Sequence, residues 1–435
     1  MKVNIITLGC SKNTVDSENI AGILRNAGHN VYFDKSSNDC DITVINTCGF
    51  IGDAKEESIN AIISQIQIKT AGRKQRKLVV AGCLVERYKN ELQKELPEVD
   101  AWFGTHEWDQ LIQFILSAPT SGHSIYGVPL SGNRILSTPR HYAYIKISEG
   151  CNRSCSYCAI PHIRGHHKSR PIQDIIDESK RMVACGVKEL IVIAQDTTFY
   201  GLDIYGHRSL AQLLERLATE SGAEWIRLHY AYPASFPIDV LDVMARHENI
   251  CNYLDIPLQH INTGILASMQ RSIGREETLQ LLDTIRAKVP GIAIRTTLIV
   301  GYPTESDASF NELLNFVEQA RFERLGAFIY SQEENTPAEQ LGDPIPPEIK
   351  QQRLDTLMAL QDKIASSINT SLIGQTVKVL IDRKEADYFI GRTQYDSPEV
   401  DNEVLITTSS DIKVGSFYNV RITQAYEHDL MAEPL

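Results

Sequence analysis

Three cysteines fall within eight residues, Cys151, Cys155 and Cys158 in the run Glu149-Gly-Cys-Asn-Arg-Ser-Cys-Ser-Tyr-Cys-Ala-Ile-Pro161. Three thiolates from one short loop do not complete a tetrahedral metal site. They can hold three irons of a cubane cluster and leave the fourth open, and an open metal position is where chemistry occurs. The loop follows the apolar run 142–147, so the fold has to present it at the end of a strand. With His162 the same cysteines make a Cys3His set for structural zinc. Structural zinc usually pairs its cysteines as CxxC, and a three-residue gap followed by a two-residue gap in one loop departs from that habit.

At 435 residues the chain exceeds one ordinary core, and roughly three domains of about 100 to 200 residues are expected. The first ten residues lack the apolar core of a signal peptide, and no run of about 18 apolar residues occurs. A cytoplasmic location without a membrane partner is therefore expected. Nine cysteines in that compartment read as metal ligands or buried thiols rather than disulfides. A formal net charge of -12 argues against a stable nucleic-acid partner, because neutralising phosphates needs clustered lysine and arginine. The average leaves room for a local basic patch.

Residues 1–118 alternate apolar runs with helical stretches, which predicts βα units on a doubly wound, flavodoxin-like parallel sheet. The strands read as 3–8, 41–46 and 77–81, with a helix from about Asp16 to Ala27 that Gly28 caps. Each strand runs into a cysteine, Cys10, Cys48 and Cys83, spaced 38 and 35 residues apart. The carboxyl ends of such strands line the ligand crevice, so three thiolates converge at one mouth. Ordinary burial accounts for any one of these cysteines. Three in the same position of successive units, beside glycines that let a cluster approach the backbone, predict a second three-cysteine cluster. Cys40, Cys185 and Cys251 have no such setting and read as packing residues.

From residue 140 to 342 six further apolar runs, 142–147, 189–194, 225–230, 253–257, 293–300 and 325–330, alternate with longer helices. Six βα units predict a partial (β/α)6 barrel, open on one side, with the cysteine loop at its mouth. Among polar residues on these strands and their ends, Gln195, Gln259 and Arg295 are candidate ligands for cofactor or substrate. Thr197, Asn262 and Thr304 suit helix capping equally well. Residues 344–374 read as a connector built on a polar amphipathic helix. Beyond it, short alternating strands at 376–381, 388–392, 404–407 and 417–422 predict a small β-barrel of the oligonucleotide-binding type. Residues 375–435 carry eleven acidic and six basic side chains, a balance that repels phosphate and welcomes a basic protein.

Together the three parts resemble the methylthiotransferases of the radical S-adenosylmethionine superfamily over essentially the whole chain. In detail they are similar to the RimO family, which methylthiolates an aspartate of a small-subunit ribosomal protein of the uS12 type. The motifs that carry the likeness are Gly9-Cys-Ser-Lys-Asn-Thr-Val-Asp-Ser-Glu18, Gly150-Cys-Asn-Arg-Ser-Cys-Ser-Tyr-Cys-Ala-Ile-Pro-His-Ile-Arg-Gly165 and Ala194-Gln-Asp-Thr-Thr198. Asp255-Ile-Pro-Leu-Gln-His260, Tyr330-Ser-Gln-Glu-Glu-Asn-Thr-Pro337 and Gly391-Arg-Thr-Gln-Tyr-Asp-Ser-Pro-Glu-Val-Asp401 extend it. The related transfer-RNA enzyme MiaB usually has glutamine and methionine after the first cysteine, where this chain has Ser11 and Lys12. Proline commonly stands in place of Ser11 in the RimO pattern, a departure that touches no ligand.

The resemblance implies an N-terminal methylthiotransferase domain (1–118), a radical SAM barrel (137–366) and a C-terminal TRAM domain (369–435). It implies two 4Fe-4S clusters, one on Cys10, Cys48 and Cys83 and one on Cys151, Cys155 and Cys158, with S-adenosylmethionine on the open iron of the second. Tyr157, Gln195, Gln259 and Arg295 are the expected cofactor contacts, and no catalytic side chain is assigned beyond the cluster ligands. A flavodoxin or similar protein is the expected electron donor. Both open irons must face one cavity, so the N-terminal domain is expected to dock over the barrel mouth. The basic residues Arg153, Arg164, Lys168 and Arg170 are candidates to orient the cofactor carboxylate or the substrate aspartate.

Such a reaction needs a radical, because side-chain pKa tuning spans only about 2 to 5 units and does not reach an unactivated C–H bond. Two other readings compete: a transfer-RNA adenosine methylthiotransferase of the MiaB kind, and a non-catalytic iron-sulfur carrier or zinc-stabilised RNA-binding module. The acidic terminal barrel speaks against the first, and the second leaves a six-unit barrel without a role.

Overall fold

The N-terminal apolar runs pair as a five-stranded parallel sheet in the computed structural model, which describes residues 1–35, 39–71, 76–117, 134–407 and 411–435. Its strands are β1 (Lys2–Thr7), β2 (Asn30–Phe33), β3 (Ile42–Thr47), β4 (Lys77–Gly82) and β5 (Ala101–Phe103), in the order β2-β1-β3-β4-β5. Strand residues feed two cores. Val3, Ile5, Val44, Val79 and Ala81 pack with Ile20 and Leu24 of the helix Ser11–Asn26 and Leu111 and Ile112 of the helix Trp108–Leu116. Ile45, Leu78 and Val80 pack with Ile62 of the helix Gly52–Ala71 and Leu84 and Val85 of the helix Cys83–Glu95. Every residue of β3 is buried, as a parallel strand covered on both faces requires. The strand order reverses between β1 and β3, which places the ligand crevice of this topology where Cys10 and Cys48 emerge.

The helix after β1 begins at Ser11 rather than near Asp16. Its first turns bury Lys12, Asn13, Asp16, Ser17 and Glu18, so they lack the apolar period that marks a helix in sequence. The short outer strands β2 and β5 were likewise not visible as apolar runs. The expected domain boundary at 118 lies outside the described residues.

The central part holds β6 (Tyr142–Lys146), the small antiparallel pair β7 (Ser148–Glu149) and β8 (Lys168–Ser169), then β9 (Glu189–Ile193), β10 (Trp225–Leu228), β11 (Ile250–Asp255), β12 (Ala293–Val300) and β13 (Arg324–Ile329). Strands β6, β9, β10, β11, β12 and β13 run parallel in that order without closing. One large apolar core lies between this curved sheet and its outer helices. At the free edge, Phe328 of β13 is half exposed. The helix Pro347–Thr370 is more than a connector. It seats Leu357 and Ile364 in the barrel core, and its buried Arg353 donates to Glu305 Oε1 at 2.7 Å.

Five strands close the C-terminal barrel: β14 (Thr376–Glu385), β15 (Tyr388–Thr393), β16 (Glu403–Thr407), β17 (Phe417–Ala425) and β18 (Asp429–Pro434). Strand β18 does not stand out as an apolar run, because its alternation is carried only by Leu430 and Ala432. This barrel forms the floor of the central one. Glu189, at the start of β9, accepts from Arg227 Nε at 2.7 Å and from Arg392 Nη2 of β15 at 2.8 Å, and all three side chains are buried. Nearby, Tyr253 OH donates to Asp401 Oδ2 at 2.7 Å, Arg324 binds Asp396, and the ring of His229 meets Ser397 Oγ at 3.0 Å.

Glu189→Gln leaves the buried Arg227 without its carboxylate and Arg392 with Asp382 alone, a loss on the order of 3 to 5 kcal/mol. Anaerobic calorimetry should find the melting midpoint lowered by several degrees; an unchanged midpoint would contradict a load-sharing floor.

Candidate functional site

The three N-terminal cysteines sit where three strand ends turn into loops or helices, and one side chain ties the turns together. Asn13 Nδ2 donates to the carbonyls of Leu8 (2.8 Å) and Thr47 (3.1 Å), which precede Cys10 and Cys48, and its Oδ1 lies 3.9 Å from Cys83 Sγ. Ser58 on the helix Gly52–Ala71 holds both ends of Cys48, accepting from its N at 3.0 Å and donating to its O at 2.8 Å. The glycines have a reason other than cluster access, because they let the three loops touch. A Cβ on Gly9 would lie 2.6 Å from Cys48 Cβ, and one on Gly82, at φ +102, would lie 2.7 Å from Thr47 O. Cys10 is exposed, whereas Cys48 and Cys83 are buried. Burial pushes the Cys83 thiol up to about 12 and raises that of Cys48, outweighing the nearby Arg164.

The second cysteine loop is pinned on the mouth of the central barrel. Cys151 N donates to Gly165 O at 3.0 Å, and Ser156 bonds Met269 O through its N and Ser268 O through its hydroxyl. Arg271 Nη1 reaches Cys155 Sγ (3.6 Å) and Tyr157 OH (3.3 Å), while Tyr232 OH lies 3.7 Å from the same sulfur. Burial raises Cys151 to about 11 and Cys158 to about 12. Thiols held so high ionise when a bound cation supplies the charge. Among the described residues no three Cys, His, Asp or Glu side chains gather as one bare ion requires, and His162 is exposed.

The segments that carry the two triads touch. Cys83 packs against Ala159, the residue after Cys158, and against Ile163. Arg164, six residues beyond Cys158, reaches into the N-terminal domain, donating to Asp16 Oδ2 at 2.6 Å and to Asn13 Oδ1. Lys146 at the end of β6 bonds the same Asp16 and, at 2.6 Å, Glu149 Oε2. These four charged side chains are all buried and carry two charges of each sign. Burial alone would raise the Glu149 carboxyl, but Lys146 and Arg164 outweigh it and hold it well below the usual carboxylate range. Alongside, Glu18 accepts from Arg134 and Ser137, and Val15 packs on Tyr142, Tyr144, Ile191 and Ile193 of the inner barrel wall.

Gln195 follows β9 and donates to Glu149 Oε1 at 2.5 Å; Gln259 follows β11 with φ 73. The amide oxygens of both are buried without a donor among the described residues, so two acceptors at the mouth stand ready for a ligand that brings N–H or O–H groups. Tyr157 lines the same region beside Arg271. Arg295 is placed deeper, 3.4 Å from Asp255 and 3.2 Å from Asp401 of the floor. The expected carboxylate-orienting bases are engaged within the protein: Arg153 with Asp196, Arg164 with Asp16 and Arg170 with Glu178. Asn13 and Arg271 were missed in the sequence because neither lies at a cysteine-like spacing; the polar first helical turn was the one available signal.

Family models match three stretches: the uncharacterized protein family UPF0004 over residues 2–104, the Radical SAM superfamily over 145–317 and the TRAM domain over 373–435. A curated relative from Phocaeicola vulgatus is 52% identical over 435 residues, covering 100% of this chain and 99% of its own. One from Cytophaga hutchinsonii is 51% identical over 433 residues, covering 99% and 97%. Both are named ribosomal protein uS12 methylthiotransferase RimO. The chain belongs to the RimO family.

Among solved structures, the radical S-adenosylmethionine methyltransferase TsrM from Kitasatospora setae, with tryptophan and a SAM analog bound, is similar at TM-score 0.58 and 13% identity, over 83% of this chain and 89% of that one. The radical enzyme OxsB, with aqua-cobalamin and S-adenosylmethionine, gives 0.53 at 13%, over 83% and 56%. Identities that low speak for the fold. For this RimO family member, radical SAM membership brings S-adenosylmethionine and a 4Fe-4S cluster, and Cys151, Cys155 and Cys158 with the orphaned amide oxygens nearby fit that pair. The transfer-RNA reading is not favoured by these relatives.

In the metal-free chain, iodoacetamide at pH 8 should modify Cys10 and Cys185, which are exposed, well before Cys83. A thiol at about 12 has roughly a thousandfold less thiolate than an ordinary one. Peptide mass mapping over time checks the order, and simultaneous labelling would show that Cys83 is not held as described.

Proposed function

We propose that the chain adds a methylthio group to the β-carbon of an aspartate in ribosomal protein uS12, using two 4Fe-4S clusters and S-adenosylmethionine. The observation that carries the reading is the packing of Cys83 against Ala159, which brings one cysteine triad against the loop of the other. When bound, S-adenosylmethionine and the cluster on Cys151, Cys155 and Cys158 supply a radical able to remove hydrogen from carbon, and a cluster on Cys10, Cys48 and Cys83 supplies sulfur. Gln195 and Gln259 offer acceptors to the ammonium or hydroxyl groups of the cofactor, and Tyr157 lines its adenine side. Arg295, braced by Asp255 and Asp401, closes the space from below. The buried quartet of Asp16, Lys146, Glu149 and Arg164 excludes water and fixes the separation of the two sites, which matters because misplacement by about 1 Å costs on the order of a hundredfold in rate.

The acidic C-terminal barrel is suited to a basic ribosomal protein and not to nucleic acid. A small electron-transfer protein such as a flavodoxin supplies the electron, and the reaction belongs in the cytoplasm. Among the described residues no helix is long and apolar enough to cross a membrane.

Anaerobic reconstitution followed by incubation with uS12 and S-adenosylmethionine should yield the ribosomal protein bearing SCH3 in place of one hydrogen. The reconstituted chain should hold about eight irons, and Cys48→Ala about four. Cys155→Ala should abolish deoxyadenosine formation; Cys48→Ala should retain it and lose the product. A Cys48→Ala variant that still attached sulfur at the normal rate would defeat the division of labour.

A further inference from the structure

We propose that Lys12 is the receptor for the side-chain carboxylate of the substrate, and so the residue that selects an acidic target over a neutral one. The proposal rests on the ribosomal-protein reading above. Lys12 is 7% exposed, yet among the described residues it forms no ion pair or hydrogen bond. Its ammonium lies 2.9 Å from the centroid of the Tyr230 ring. Burying an ammonium against an aromatic face recovers only part of its lost hydration. An anion completes the site.

The neighbouring cations are already satisfied. Lys146 and Arg164 share Asp16 and Glu149, Arg153 holds Asp196, Arg170 holds Glu178, and Arg295 lies between Asp255 and Asp401. Arg271 also lacks a carboxylate among the described residues, but its Nη atoms hold Cys155 Sγ, Tyr157 OH and Pro257 O; Lys12 is the buried cation of the region with neither a hydrogen bond nor an ion pair there.

Its position suits the chemistry. Lys12 lies two residues after Cys10, on the first turn of the helix that enters the barrel. Tyr230 and Tyr232 lie in the segment after β10, and Tyr232 touches Cys155 Sγ. Two residues of chain span at most about 7 Å, so the Cα of Lys12 lies within that distance of the Cα of Cys10, and the Cα of Tyr230, whose ring holds the ammonium, within that distance of the Cα of Tyr232. Tyr230 is held there at φ 58, its N donating to Asp255 Oδ2 and its O accepting from Thr197 N, both at 3.1 Å. A left-handed tyrosine costs backbone energy and is kept only where its surroundings impose it. In an aspartate the β-carbon bears the carboxylate directly. Gripping the carboxylate therefore fixes the carbon whose hydrogen is removed.

A role in balancing the charge of the adjacent thiolates is the competing account, and substrate exchange separates the two. Wild type, Lys12→Met and Lys12→Arg chains, reconstituted anaerobically, are tested for binding and modification of uS12 with its native aspartate and of uS12 with that residue changed Asp→Asn. Iron content and deoxyadenosine formation are measured in parallel. Wild type should bind the aspartate form about 10- to 100-fold more tightly than the asparagine form. In Lys12→Met that ratio should fall to about one with iron and cofactor cleavage retained, and Lys12→Arg should recover part of it. A Lys12→Met chain that keeps the wild-type ratio overturns the proposal, and loss of iron with the ratio intact assigns Lys12 to charge balance instead. If wild type modifies no uS12 at all, the reading of the substrate fails and the proposal falls with it.

Discussion

Asp16 is the point on which the two halves of the site turn. Its carboxylate sits on the first helix of one domain and takes Lys146 and Arg164 from the other, with Glu149 completing a neutral set. Charges this deeply buried are costly to desolvate and tolerable only when every partner is present. The arrangement therefore acts less as glue than as a register mark. A domain docked a few ångströms away would strand ions, so one placement of the cysteine loops is selected.

The floor repeats the device. Glu189 lies between Arg227 of the central barrel and Arg392 of the terminal one, and Asp396 and Asp401 reach up to Arg324 and Arg295. The curved sheet is thus held between charged contacts at both ends, while its flank at β13 stays open beside Phe328. Rigid ends and an open side suit an enzyme whose target belongs to another protein.

Much of this was legible in the residues. The strands that carry cysteines are apolar runs ending in a small, distinctive motif, and the six central strands and four of the terminal five show plain alternation or apolar continuity. Side chains whose partners lie in another domain were illegible. Lys12 and Asn13 fall before the helix start read at about Asp16, and the burial of these two with Asp16 and Glu18 does not show in sequence, because the surface that covers them comes from residues 134–164 and 230, far along the chain. Arg153, Arg164 and Arg170 looked free for a ligand since sequence does not display Asp196, Asp16 or Glu178 opposite them. The glycines beside Cys10 and Cys83 were visible, but their reason, the contact of loop on loop, needed three dimensions.

The origin of the floor bears on how the protein is made. A ribosome releases the residues of the central barrel well before those of β15 and the loop that follows it, so Arg324 emerges without Asp396 and the Glu189–Arg227 pair without Arg392. Domains generally fold as units from the N-terminus during synthesis, yet this one keeps ionised groups facing solvent until translation is nearly over. A truncated product is left with an unsealed, wettable floor.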